Sequence, residues 1–68
     1  MGLAQIFGAN VRRLRQERGM TIEALADEVE LAYTYVGQIE RGTRNPTLGV
    51  VERFAVVLCV AAIDLLKE

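Results

Sequence analysis

Side chains able to make or break bonds are scarce in these 68 residues, which include no histidine and one cysteine. No carboxylate pair or glycine-rich phosphate loop stands out, so a catalytic centre is not expected. What the chain does carry is recognition chemistry. Seven of its eight basic residues are arginines: Arg12, Arg13, Arg15, Arg18, Arg41, Arg44 and Arg53. The planar guanidinium fork suits phosphate oxygens and guanine edges. Tyr33, Thr34, Gly37, Gln38 and Arg41 recur at helical spacing on a face without any aliphatic side chain. A polar helix face with one small gap suits a groove. Cys59 has no second thiol or histidine to join it and reads as a small hydrophobe, so neither metal nor cofactor is expected.

Those side chains need helices to hold them. Leu3, Phe7, Val11 and Leu14 follow the helical period and Gly19 supplies a stop, giving a first helix from Leu3 to about Arg18. Thr21 caps a second from Ile22 to about Val29, with Leu25, Ala26 and Val29 inward and Glu23, Asp27 and Glu28 outward. A third spans about Tyr33 to Arg41, with Val36 and Ile39 inward, and closes at Gly42. Asn45-Pro46 blocks continuation, and Thr47 caps a fourth helix from Leu48 to about Leu58. That helix bears two apolar stripes, one of Leu48, Val51, Ala55 and Leu58 and one of Val50, Phe54 and Val57, which implies two packing partners. A short fifth helix runs roughly from Ala62 to Leu66.

Length permits one domain, residues 1–68, and a chain this short buries only about 60% of its unfolded surface. Hydrophobic residues make up 51% and charged residues 25%. Apolar surface is thus left after the core is filled, which suggests an oligomer interface. The net charge of −1 does not advertise generic binding to a polyanion. The charges are segregated, however, with acids concentrated between Glu23 and Glu30. A lone cysteine gives no internal disulfide, and a reducing cytoplasm is the expected location. The most apolar stretch, Val50 to Leu66, is broken by Glu52, Arg53 and Asp64, so no membrane association is expected.

Two short helices joined by a tight turn, the second polar outside, form the pattern of a helix-turn-helix. Leu14-Arg15, Gly19-Met20-Thr21, Leu25-Ala26, Val36, Ile39-Glu40-Arg41-Gly42 and Asn45-Pro46-Thr47-Leu48 together resemble the phage repressor and Cro family of DNA-binding domains. The resemblance runs from about Phe7 to Leu66, with these residues at fixed spacing in the expected helix order. Within it, Tyr33-Thr34-Tyr35-Val36 followed by Ile39-Glu40-Arg41 is similar to the small controller proteins of restriction-modification systems.

The resemblance implies an all-α, five-helix lambda-repressor-like domain that reads double-stranded DNA and regulates transcription. It implies base-facing roles for Tyr33, Thr34, Gly37 and Gln38, with Arg41 on the same face. Thr21 at the start of the second helix falls near the phosphate backbone, and Tyr35, Thr43 and Arg44 near the phosphate backbone or minor groove. Arg15 and Glu40 stand where family members form a buried ion pair, and Ala26 where a small residue lets the second and third helices cross. A homodimer on an imperfect palindrome is implied, with Val50, Phe54, Val57, Val60, Ile63 and Leu66 as its contact. RNA polymerase is a further implied partner, through Asp27, Glu28 and Glu30.

Five positions depart from the family, two of them being Ala32 and Ala61, where a capping Ser or Thr is common. Ile22 replaces a phosphate-touching glutamine, Glu30 the usual turn glycine, and Cys59 a helix-ending glycine, the last suggesting that the fourth helix runs on. The competing reading is a protein-interaction module, antitoxin-like or an accessory subunit, which uses the same helices to hold another polypeptide. Sequence-selective, salt-sensitive binding to DNA separates the two.

Overall fold

Thr21 and Thr47 each turn a hydroxyl onto the backbone three residues ahead, accepting from the Ala24 and Val50 N–H groups at 3.0 and 3.1 Å. These two caps start the second and fourth of four α-helices in a computed structural model that describes residues 2–68. The helices are α1 (Leu3–Glu17), α2 (Ile22–Val29), α3 (Tyr33–Glu40) and α4 (Leu48–Leu58). No strand is present among the described residues. The expected fifth helix is a single 3₁₀ turn, Ala62–Leu65. Asp64 N–H bonds to the Ala61 carbonyl and Leu66 N–H to the Ile63 carbonyl, each reaching back three residues, which is the 3₁₀ spacing and not that of an α-helix. The Asn10 side-chain amide instead takes the Leu65 and Lys67 carbonyls at 3.0 and 2.9 Å, tying the end of the chain to α1. Within the turn, Lys67 and the Ala61 N–H hold the Asp64 carboxyl below its ordinary range.

The core is apolar throughout. Phe7 and Val11 of α1, Leu25, Ala26 and Val29 of α2, and Val36 and Ile39 of α3 meet Val51, Phe54, Ala55 and Leu58 of α4, with Leu65 closing the end. Phe54 was expected at a dimer surface. It is 0% exposed, its ring set edge-on to Phe7 at 5.6 Å between centroids, an aromatic geometry that belongs to this core. Leu48, expected in the buried stripe, is 82% exposed at the first position of α4.

Every α-helix ends the same way. A residue with positive φ reverses the chain at Gly19, Glu30, Gly42 and Cys59, and the next N–H bonds back to a carbonyl five residues earlier. Gly42 must be glycine, because its φ is +76° and a Cβ there would lie 2.8 Å from Cγ of Gln5. Cys59, at φ 59°, stops α4 at Leu58, so that helix does not run on. Glu30, at φ 60°, bears the same penalty. Glu30→Gly should therefore stabilise the fold by about 1 kcal/mol, roughly 4–8 °C in Tm. Thermal denaturation checks this, and a lower Tm would contradict it.

Two arginines close helix ends across the fold. Arg53 Nη1 donates to the Val29 carbonyl at 2.9 Å and Arg18 Nη1 to the Leu58 carbonyl at 3.3 Å. Cations at helix C-termini satisfy orphan carbonyls and oppose the negative end of the helix dipole. No helix is long and apolar enough to cross a membrane among the described residues.

Candidate nucleic-acid interface

α3 packs its Val36 and Ile39 side against α1 and α2, which leaves the opposite side outward. Tyr33 is 57% exposed there, Thr34 and Arg41 are exposed, and Gln38 is half-buried. With Ile22 of α2 and the backbone of Gly37, these residues line one shallow groove. A second groove continues past Gly37 to Arg12, Arg15 and Glu40. Sequence reading treated Gly37 as an open gap. Gly37 lies little exposed on the floor of both grooves, and the end of the Arg41 side chain, at Nη1, would lie 3.4 Å from a Cβ at that position.

The start of α3 is open. Ala32 supplies no side-chain cap, so the first N–H groups of the helix have no capping oxygen and face outward with the positive end of the helix dipole. Such an end attracts phosphate. Thr21, exposed at the start of α2, already uses its hydroxyl as an acceptor for its own helix. That hydroxyl retains its proton for a further contact.

The loop after α3 is fastened to Gln38. The Gln38 carbonyl accepts from both the N–H and the hydroxyl of Thr43, at 3.0 and 3.1 Å. Its side-chain Oε1 accepts from Arg44 Nη1 at 3.0 Å, while the Arg44 guanidinium lies 4.8 Å from the centre of the Tyr35 ring. Sequence reading assigned Tyr35, Gln38, Thr43 and Arg44 separate contacts and missed that they form one cluster. No local pattern pairs residues across a helix end.

One ion pair sets the position of α3. Arg15 of α1 donates through Nε to Glu40 Oε2 at 2.7 Å and through Nη2 to Glu40 Oε1 at 3.0 Å. The side chains are 12% and 4% exposed. Its third nitrogen holds the Met20 carbonyl at 2.9 Å, so one guanidinium joins α1, α3 and the turn before α2. The hydrogen bonds that Arg15 donates to Glu40 hold its guanidinium above its ordinary range, against the opposing effect of burial.

Of the residues expected to make a dimer contact, Val50, Val57, Val60 and Leu66 are half-buried against the core and Ile63 is 63% exposed. Val56, overlooked in the sequence, is 72% exposed. It lies on the side of α4 away from both stripes, beside Gly49, Glu52 and Arg53, where no periodic pattern singles it out.

The family model described as a helix-turn-helix domain matches residues 6–67. Control protein C.BamHI of Bacillus amyloliquefaciens is 44% identical over 62 residues, covering 90% of this chain and 76% of that protein. The crystal structure of the restriction-modification controller protein C.AhdI from Aeromonas hydrophila is similar at a TM-score of 0.86 and 35% identity, covering 91% of this chain and 94% of that one. The biofilm master regulator SinR, solved in complex with DNA, is similar at a TM-score of 0.84 and 31% identity, covering 90% of this chain and 98% of that one. Likeness that spans nearly the whole chain in both sequence and backbone decides the family. This chain belongs to the helix-turn-helix family of the phage repressor and Cro type, whose members are DNA-binding transcription regulators.

Proposed function

We propose that residues 1–68 act as one domain that binds duplex DNA as a homodimer, each copy laying α3 in the major groove of one half of an imperfect palindrome. The observation that carries this reading is the uncovered polar face of α3. Thr34 can donate to or accept from a base edge, and its methyl can touch thymine. Gln38 supplies an amide for base readout. Arg41 and Arg12, along the adjoining groove, suit phosphate contacts that orient the domain without specifying sequence.

The size of one copy supports pairing on a two-part site. Half-sites on one face of a duplex lie about 34 Å apart. The longest dimension of this chain is 26 Å, so one copy cannot span two successive major grooves. Val56 and Ile63, with Val57 and Val60 beside them, supply the apolar surface for the pairing; Phe54 does not.

The likeness to C.BamHI and C.AhdI supports a regulator of restriction-modification genes. The exposed acids Asp27, Glu28 and Glu30 are the surface proposed to meet RNA polymerase at a bound promoter. Selecting bound sequences from a random duplex pool tests the main reading. It should return a palindrome with half-sites one helical turn apart, bound with a steep loss of affinity as salt rises. Sequence-indifferent binding, or a protein that sediments as a monomer with and without DNA, would support an interaction module instead.

A further inference from the structure

We propose that Arg44 is a positioning residue that decides which base Gln38 reads, turning its amide toward guanine in place of adenine. The inference rests on the reading of α3 as the base-contacting helix. A free glutamine pairs bidentately with adenine, its oxygen accepting from N6 and its nitrogen donating to N7. Here one acceptor site of the oxygen is already taken, because Arg44 Nη1 donates to Gln38 Oε1 at 3.0 Å. The orientation of the amide is chemically forced, since a guanidinium carries only donors and the atom facing it must be the oxygen.

Arg44 is held from two further sides. The Tyr35 ring lies 4.8 Å from its guanidinium carbon, and the preceding residue, Thr43, is fastened to the Gln38 carbonyl by two hydrogen bonds. The oxygen keeps a second lone pair, but the guanidinium beside it carries only donors and opposes an approaching adenine N6–H, so the end of Gln38 left to a base is its NH₂ group, which only donates. Guanine presents two adjacent acceptors in the major groove, O6 and N7, whereas adenine presents a donor beside its one acceptor. The locked amide therefore matches guanine.

The test is duplex selection from a random pool with four proteins: wild type, Gln38→Ala, Arg44→Met and Arg44→Lys. The pair read by Gln38 is the one whose preference disappears in Gln38→Ala. Wild type should favour guanine over adenine there by about tenfold or more. Arg44→Met, which has no donor, should shift that ratio toward adenine by about tenfold and leave the other positions unchanged. Arg44→Lys retains a donor for Oε1 and should keep guanine. A wild-type preference for adenine would overturn the proposal. So would an Arg44→Met protein that binds every duplex more weakly by one factor with its base preference intact, the signature of a phosphate contact alone. Gln38→Ala selecting the same site as wild type at all positions is a different failure, and it removes α3 as the base reader.

Discussion

Glu40→Ala should remove most of the stability of the fold. The substitution strands the Arg15 guanidinium at the α1–α3 contact with two of its donors unpaired, at a site where the pair is almost wholly shielded from water. Removing one member of a buried pair costs about 3–5 kcal/mol, which approaches the total stability of a domain this small. At roughly 4–8 °C per kcal/mol, Tm should fall by more than about 12 °C. The loss comes from the abandoned charge more than from the lost attraction. Replacing both partners with apolar side chains, Arg15→Met with Glu40→Leu, should therefore recover much of it. Thermal denaturation of the single and double variants decides the matter. A double variant no more stable than Glu40→Ala would show that the pair holds the fold by a specific geometry that apolar packing cannot replace.

Gly8→Ala should be nearly as damaging, for a different reason. Gly8 lies mid-helix, where alanine is ordinarily favoured by about 1 kcal/mol. A Cβ at this position would run into the Ile39 carbonyl oxygen, with the Glu40 carbonyl oxygen 3.0 Å away. Backbone cannot swing aside as a side chain can, so α1 and α3 would have to separate and the Arg15–Glu40 bonds would stretch with them. Overpacking of this kind costs about 3 kcal/mol, at the upper end of its usual range. Gly49→Ala is the matched control. There the nearest atom, Thr47 Oγ1, is 3.8 Å from the new Cβ, an ordinary contact, and the change should stabilise by about 0.5 kcal/mol. Opposite signs for the same substitution in two helices are the expected result, read from Tm. Equal signs would mean that the closeness of α1 to α3 has no energetic weight.

Much of this architecture was legible in local pattern. The bounds of α2 and α4 followed from Thr21 and Thr47 standing before apolar residues of helical period, because capping and amphipathic burial are properties of a single segment. The elements that were misread depend on partners distant in sequence. Phe54 shares a stripe with Val50 and Val57, and only the presence of Phe7 across the fold shows that its ring points inward. The final segment has helical composition, yet Asn10, more than 50 residues earlier, takes its carbonyls and it closes as one turn. Gly8 carried no signal, since a mid-helix glycine reads as a weakness until the facing carbonyls are seen.

The site divides along the same line. Tyr33, Thr34, Gln38 and Arg41 were identifiable because they form the polar half of an amphipathic helix, and that half is outward. The attachment of Arg44 to Gln38 and Tyr35 was not, because it joins a helix to the loop that follows it. The closeness of Arg41 to Gly37 was missed because spacing alone does not show where a long side chain folds.

The central claim is that the outward side of α3 reads base edges, and it is tested most directly by affinity for the selected palindrome against a scrambled duplex at one salt concentration. The comparison is wild type with Gln38→Ala. Each half-site should lose about 1–3 kcal/mol, so a symmetric pair should lose at least about 2 kcal/mol of discrimination, roughly thirtyfold, with Tm unchanged. An unchanged ratio between the two duplexes would contradict the account.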